Sequence, residues 1–150
     1  MKYTIEVFLK SNFTDHHGTH VQHDIAALGI KKVPKVRFHQ LYRFEGELAG
    51  QEVETISEKL LIDPITDDYR IVSEAQNSKE HAIEVWLKQG VTDTVAESVS
   101  KAVKDLGIAK KLGIKTGQKY VFEGNIGRPQ LKQVAEKMLV NPLIQNYFIG

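Results

Sequence analysis

Ile5-Glu6-Val7-Phe8-Leu9-Lys10 returns later in the chain as Ile83-Glu84-Val85-Trp86-Leu87-Lys88. The shift of 78 holds without a gap from Ile5–Ile71 onto Ile83–Ile149, and 23 of these 67 positions are identical. Others exchange like for like: Val53 with Leu131, Ile56 with Val134, Leu60 with Met138, Ile62 with Val140. A gapless match through elements and turns means that both halves share one fold. The chain is therefore a covalent pair, with repeat 1 at 1–73, a polar linker at 74–80 and repeat 2 at 81–150. A unit of that size buries a limited core alone, and the tether makes pairing of the two copies intramolecular.

Each repeat reads strand, helix, strand, helix, strand. In the first strand Ile5, Val7 and Leu9 alternate onto one face. Asp15 and Asp93 stand where a carboxylate can cap the helix that follows. That helix carries Val21, Ile25 and Leu28, matched by Val99, Val103 and Leu106, as a core stripe. Gly29 and Gly107 end it, each followed by an Ile that can fold back on the last turn. The long second strand puts Val36, Phe38, Tyr42 and Phe44 on one face, as Ile114, Tyr120 and Phe122 in the other copy. The second helix is expected over Gln51–Ile62 and Pro129–Val140, stopped by Asp63-Pro64 and Asn141-Pro142.

The face opposite this core is not uniformly polar. It carries Phe8, Leu41 and Val72 in repeat 1 and Trp86, Val121 and Phe148 in repeat 2. A half-solvated antiparallel sheet ordinarily shows a polar outer face. These six residues are expected to form the interface between the repeats. The fold class is then α+β, each repeat an antiparallel sheet with two helices, and the two repeats an intramolecular pseudo-dimer with sheets packed together.

Bulk composition excludes several classes. There is no cysteine, so no disulfide framework and no thiolate chemistry. No apolar run is long enough to span a bilayer, and the N-terminus lacks a signal-peptide core, which makes a cytoplasmic protein the expectation. A net charge of +1 gives no case for nucleic acid. The halves differ, however: residues 1–75 are net −3 and residues 76–150 net +4.

No constellation of residues demands chemistry. His16, His20 and His23 share one face of the first helix at spacings that could hold zinc, but repeat 2 has Thr94, Ser98 and Lys101 there. An exposed His-rich face explains them without a metal. Gly124 to Pro129 is not a phosphate loop, and no nucleophile elbow occurs. Phe38, Tyr42 and Phe44 align with the core, which leaves no exposed aromatic platform for RNA. No catalytic, cofactor or metal residue is assigned. Paired α+β units also suit a small-molecule-binding regulatory domain, which is the alternative reading.

One family joins these features. Val7-Phe8-Leu9-Lys10, Asp15-x-x-Gly18-x-x-Val21-Gln22-His23-x-Ile25, Tyr42, and Glu58-Lys59-Leu60-Leu61-Ile62-Asp63-Pro64 resemble PurS, the small subunit of phosphoribosylformylglycinamidine synthase. The second copy repeats the pattern with Val85-Trp86-Leu87-Lys88, Asp93, Tyr120 and Glu136-Lys137-Met138-Leu139-Val140-Asn141-Pro142. It departs at Ala96, where repeat 1 has Gly18, and neither copy has the Pro often found after the capping Asp. The N-terminal part of the fused, large form of the synthase resembles such a joined pair. The resemblance implies a non-catalytic component of purine biosynthesis. It would bridge a synthetase (PurL-like) and a glutaminase (PurQ-like) component and support ammonia transfer. ATP, Mg and glutamine would be used by those partners and not by this chain, and the tandem chain could itself form a homodimer.

Overall fold

The structure is a computed structural model and describes residues 2–73, 81–108, 110–124 and 126–150. The linker expected at 74–80, and Asn125 of the Gly124–Pro129 turn, lie outside the described residues. Repeat 1 gives β1 (Lys2–Leu9), α1 (His16–Ala27), β2 (Lys35–Glu45), α2 (Gly50–Ile56) and β3 (Asp67–Ser73). Repeat 2 gives β4 (His81–Leu87), α3 (Thr94–Asp105), β5 (Gly113–Glu123), α4 (Arg128–Val134) and β6 (Gln145–Ile149).

The second helix of each repeat ends differently from the expected plain helix. Both α2 and α4 widen into a π turn, at Ser57–Leu61 and Ala135–Leu139. The turns are closed by bonds from Ile62 N to Ser57 O (3.2 Å) and from Val140 N to Ala135 O (3.0 Å). The Ser57 hydroxyl donates back to Val53 O, but Ala135 makes the same turn without a hydroxyl. What the two share is the following Asp63-Pro64 or Asn141-Pro142, where proline excludes a helical predecessor.

The strands form one antiparallel six-stranded sheet in the order β3-β1-β2-β5-β4-β6. One sheet stands where a separate sheet in each repeat was expected. β2 and β5 are neighbours, so the repeats join edge to edge. An edge strand carries unpaired N–H and C=O groups that a second strand satisfies, and that gain is independent of side-chain pattern.

Two compact units make up the chain, and neither is one repeat. The first comprises Met1–Phe13, Gln40–Asn77 and Thr92–Thr116; the second comprises Thr14–His39, Ser78–Val91 and Gly117–Gly150. Each unit thus takes the first helix of the opposite repeat. In the second unit Val21 and Ile25 of α1 share a core with Ile83, Val85, Tyr120 and Phe122 of the sheet and Leu131 and Val134 of α4. In the first unit Val103 of α3 shares one with Ile5, Val7 and Phe44 of the sheet and Val53 and Ile56 of α2. Ile25, Ile83, Ile5 and Ile56 are all wholly buried, and each such side chain contributes about 1.5–3 kcal/mol. The stripe on α1 is as expected, and Leu28 packs against the same core. Its match Leu106 is 36% exposed.

The helix starts are built alike. Asp15 caps α1 by accepting from Gly18 N at 2.8 Å, and its other oxygen accepts from Phe38 N of β2 at 2.8 Å. Asp93 accepts from Ala96 N at 2.9 Å and from Thr116 N of β5 at 2.8 Å, with the Thr116 hydroxyl added. One carboxylate therefore both caps a helix and fixes it against a strand. The Gly18 and Ala96 difference follows from the approach distance. A Cβ on Gly18 would stand 2.1 Å from Val36 O, so α1 lies too close to β2 for any side chain there.

Candidate functional site

The six outer-face residues lie on the sheet face away from the helices, but they are not one exposed patch. In the first unit Leu41 is wholly buried, while Phe8 and Val72 are half-buried. Leu41 stands opposite Glu6, Val72 opposite Thr4, and Phe8 opposite Asp68. In the second unit Trp86 and Val121 are buried, while Phe148 is 59% exposed. Trp86 stands opposite Gly117, and a Cβ on Gly117 would come within 2.6 Å of the indole. The ring lies where a side chain at 117 would have been. Only Phe148 of the six is an open apolar surface.

Sequence pattern alone did not single out the most exposed apolar side chains. Ile65 is 74% exposed and Leu143 is 83% exposed, and they occupy the same position in the two repeats. Each crowns a turn fixed by the same five hydrogen bonds. In repeat 1, Ile65 N donates to Asp63 Oδ1 (2.9 Å), Asp63 N to Asp67 Oδ2 (3.0 Å) and Asp67 N to Asp63 O (2.8 Å). Lys10 then donates twice, from N to Thr66 O (2.9 Å) and from Nζ to Pro64 O (2.8 Å). In repeat 2, Leu143 N donates to Asn141 Oδ1 (3.1 Å), Asn141 N to Gln145 Oε1 (2.8 Å) and Gln145 N to Asn141 O (2.8 Å). Lys88 donates to Ile144 O (2.7 Å) and Pro142 O (2.6 Å). The side chain of Asp or Asn mimics a backbone turn, and proline presets it. Tyr69 and Tyr147 brace the strand behind each tip by donating to Glu58 (3.0 Å) and Glu136 (2.7 Å). The Tyr147 phenol is held above its ordinary pKa, chiefly by that carboxylate.

The flanks of the tips differ. Beside Ile65 stand Asp63, Asp67 and Asp68, and Arg70 of β3 donates from Nε to Glu6 at 2.7 Å, a carboxylate 2% exposed. Beside Leu143 the matching residues are Asn141, Gln145 and Asn146, and Phe148 takes the place of Arg70 opposite Glu84. Ile144, 39% exposed, stands where repeat 1 has Thr66. Two adjoining hollows follow β6. One, of about 690 Å³, is lined by Lys88, Glu136, Val140, Pro142, Gln145 and Phe148 among others. The next, of about 670 Å³, is lined by Arg128, Pro129, Lys132, Tyr147, Phe148 and Ile149.

The histidine face holds no cluster. Among the described residues no group of three His, Asp or Glu side chains is placed to hold a metal ion. His20 stands 3.5 Å from Asp24 at the surface. His17, the one histidine of the run outside the 16/20/23 spacing, is exposed but meets two aromatic rings. It stacks on Phe38 with centroids 3.9 Å apart and meets Tyr120 edge-on. Among the described residues no helix is long and apolar enough to cross a membrane.

A duplicated β-α-β-α-β chain with a shared sheet, exchanged first helices and two rigid apolar tips is a tandem α+β scaffold. It belongs to the PurS family, described as Phosphoribosylformylglycinamidine (FGAM) synthase, which matches residues 2–75 and again residues 80–150. The family consists of FGAM synthase subunits and belongs to purine biosynthesis. No curated protein matches the chain.

Proposed function

We propose that this chain is the non-catalytic bridge of phosphoribosylformylglycinamidine synthase. It links the ATP-dependent synthetase (PurL-like) and the glutaminase (PurQ-like) components in the cytoplasm and supports passage of ammonia from one to the other. ATP, Mg and glutamine are handled by those partners. The observation that carries this reading is the matched pair of tips. Ile65 and Leu143 are apolar, largely exposed and held by the same five bonds, and a rigid exposed apolar side chain costs little further order on docking. A bridge needs two such points with unlike surroundings, and the flanks supply that difference.

Reconstitution tests the proposal. The chain is mixed with synthetase and glutaminase, and amidine formation is followed with glutamine or with free ammonium as nitrogen source. Glutamine-dependent turnover should fall at least tenfold without the chain, or with Ile65→Glu and Leu143→Glu together. Ammonium-dependent turnover should change far less. Equal turnover with and without the chain, and no co-elution with either component, would remove the bridging role.

A further inference from the structure

Among the described residues β6 ends the sheet, and no strand pairs with its outer flank. Lys88 N donates to Ile144 O, and Gly150 and Ala82 exchange N–H to O bonds. Residues 144, 146, 148 and 150 therefore face β4. In an antiparallel ladder the alternate residues face the other way. Tyr147 and Ile149 thus present N–H and C=O outward along the line of the two hollows. The hollows share Tyr147 and Phe148, and together they follow β6 from Gln145 to Ile149. Lys88, Arg128 and Lys132 line them, against one acid, Glu136, which already accepts from Tyr147. Natural sheets guard such an edge with charge or proline. β3, the other end strand, has Asp67, Asp68 and Arg70, whereas β6 reads Gln-Asn-Tyr-Phe-Ile without a charge.

We propose that the β6 edge is a strand-addition site for an extended acidic segment of a partner subunit. Backbone pairing with Tyr147 and Ile149 supplies affinity, and Lys88, Arg128 and Lys132 select negative charge. Self-pairing through β6 would oppose cations to cations. A second copy's β3 edge is acidic, and pairing with it would be head-to-tail and dependent on protein concentration. The partner's being a synthase component rests on the bridging reading above; the strand-addition site itself does not.

Three seven-residue peptides test the site on the full chain: valine alternating with aspartate or glutamate, valine alternating with lysine, and the acidic peptide N-methylated at alternate amides. Hydrogen exchange at Tyr147 and Ile149 is read by NMR. The acidic peptide should slow both amides at least tenfold at saturation. The lysine peptide should bind at least tenfold more weakly, and the N-methylated one should give no protection. Arg128→Glu with Lys132→Glu, both exposed, should weaken the acidic peptide at least tenfold. Unchanged exchange at Tyr147 and Ile149, or equal binding of acidic and basic peptides, would overturn the proposal. So would slowing that rises with protein concentration alone, which would assign the edge to a second copy. Because no synthase component is present, these outcomes stand apart from the reconstitution above.

Discussion

The β3 and β6 edges are the same piece of scaffold written twice, and they have become opposite surfaces. Strand register, tip geometry and the bracing tyrosine match bond for bond. Charge does not: Asp63, Asp67, Asp68 and Arg70 on one edge correspond to Asn141, Gln145, Asn146 and Phe148 on the other. Duplication kept the bonds that hold the tip and changed the charge around it. Asn141 and Gln145 keep the accepting oxygens of Asp63 and Asp67 without their charge, so the turn is preserved while the surface a partner meets is changed.

Exchanging the two edge residues should break this symmetry most visibly. Arg70→Phe removes a partner of the buried Glu6 carboxylate, and about 3–5 kcal/mol of stability should be lost in urea unfolding. The reciprocal Phe148→Arg sits on an exposed site opposite Glu84 and should change stability by about 0.5 kcal/mol or less. Equal costs for the two would erase the distinction between the edges.

The shared part of the comparison is sharpened at the caps. Asp15→Ala and Asp93→Ala each remove a helix cap and leave a strand N–H without its acceptor, so each should cost about 2–4 kcal/mol in the same assay. Asp93→Ala should cost more, since the Thr116 hydroxyl also loses its acceptor. Substituting the tips comes next. Ile65→Ser and Leu143→Ser should move stability by about 0.5 kcal/mol or less while reducing glutamine-dependent turnover in the reconstituted synthase.

The smallest effect concerns an ion pair that joins Glu52 of repeat 1 to Lys110 of repeat 2 within the first unit. Lys110 lies 2.6 Å from Glu52, and its hydrogen bond is the main cause of the lowered Glu52 pKa. A carboxylate with a lowered folded pKa adds stability above its unfolded value and loses it as pH falls through the folded one. The difference in Tm between the native chain and Lys110→Met should therefore be present at pH 7 and fade below about pH 4.5, the ordinary value of the group. At Gln130 and Lys32, the positions matched to Glu52 and Lys110, no such fading is expected.

Much of this architecture was legible in the residues. Strand alternation, the Val21 and Ile25 stripe, the capping Asp and the Asp-Pro stops are local, and local physics marks them. The exchange of α1 and α3 is not marked. An apolar stripe reads the same whether its own strands or its twin's will cover it. The single sheet is equally silent, since β2 and β5 join through backbone groups that every residue carries. The tips were missed because a lone exposed Ile or Leu is ordinary. Only the matched hydrogen bonds around Ile65 and Leu143 set them apart.

The central claim is that neither repeat completes a core without the other's first helix. It is tested by expressing residues 1–73 alone and measuring mass by light scattering, together with the urea midpoint, across a wide range of concentration. In that fragment Val21 and Ile25 have lost Ile83, Val85, Tyr120 and Phe122. A dimer whose midpoint rises with concentration is predicted, because a second copy restores the missing strands. A folded monomer whose midpoint is the same at every concentration would contradict the account.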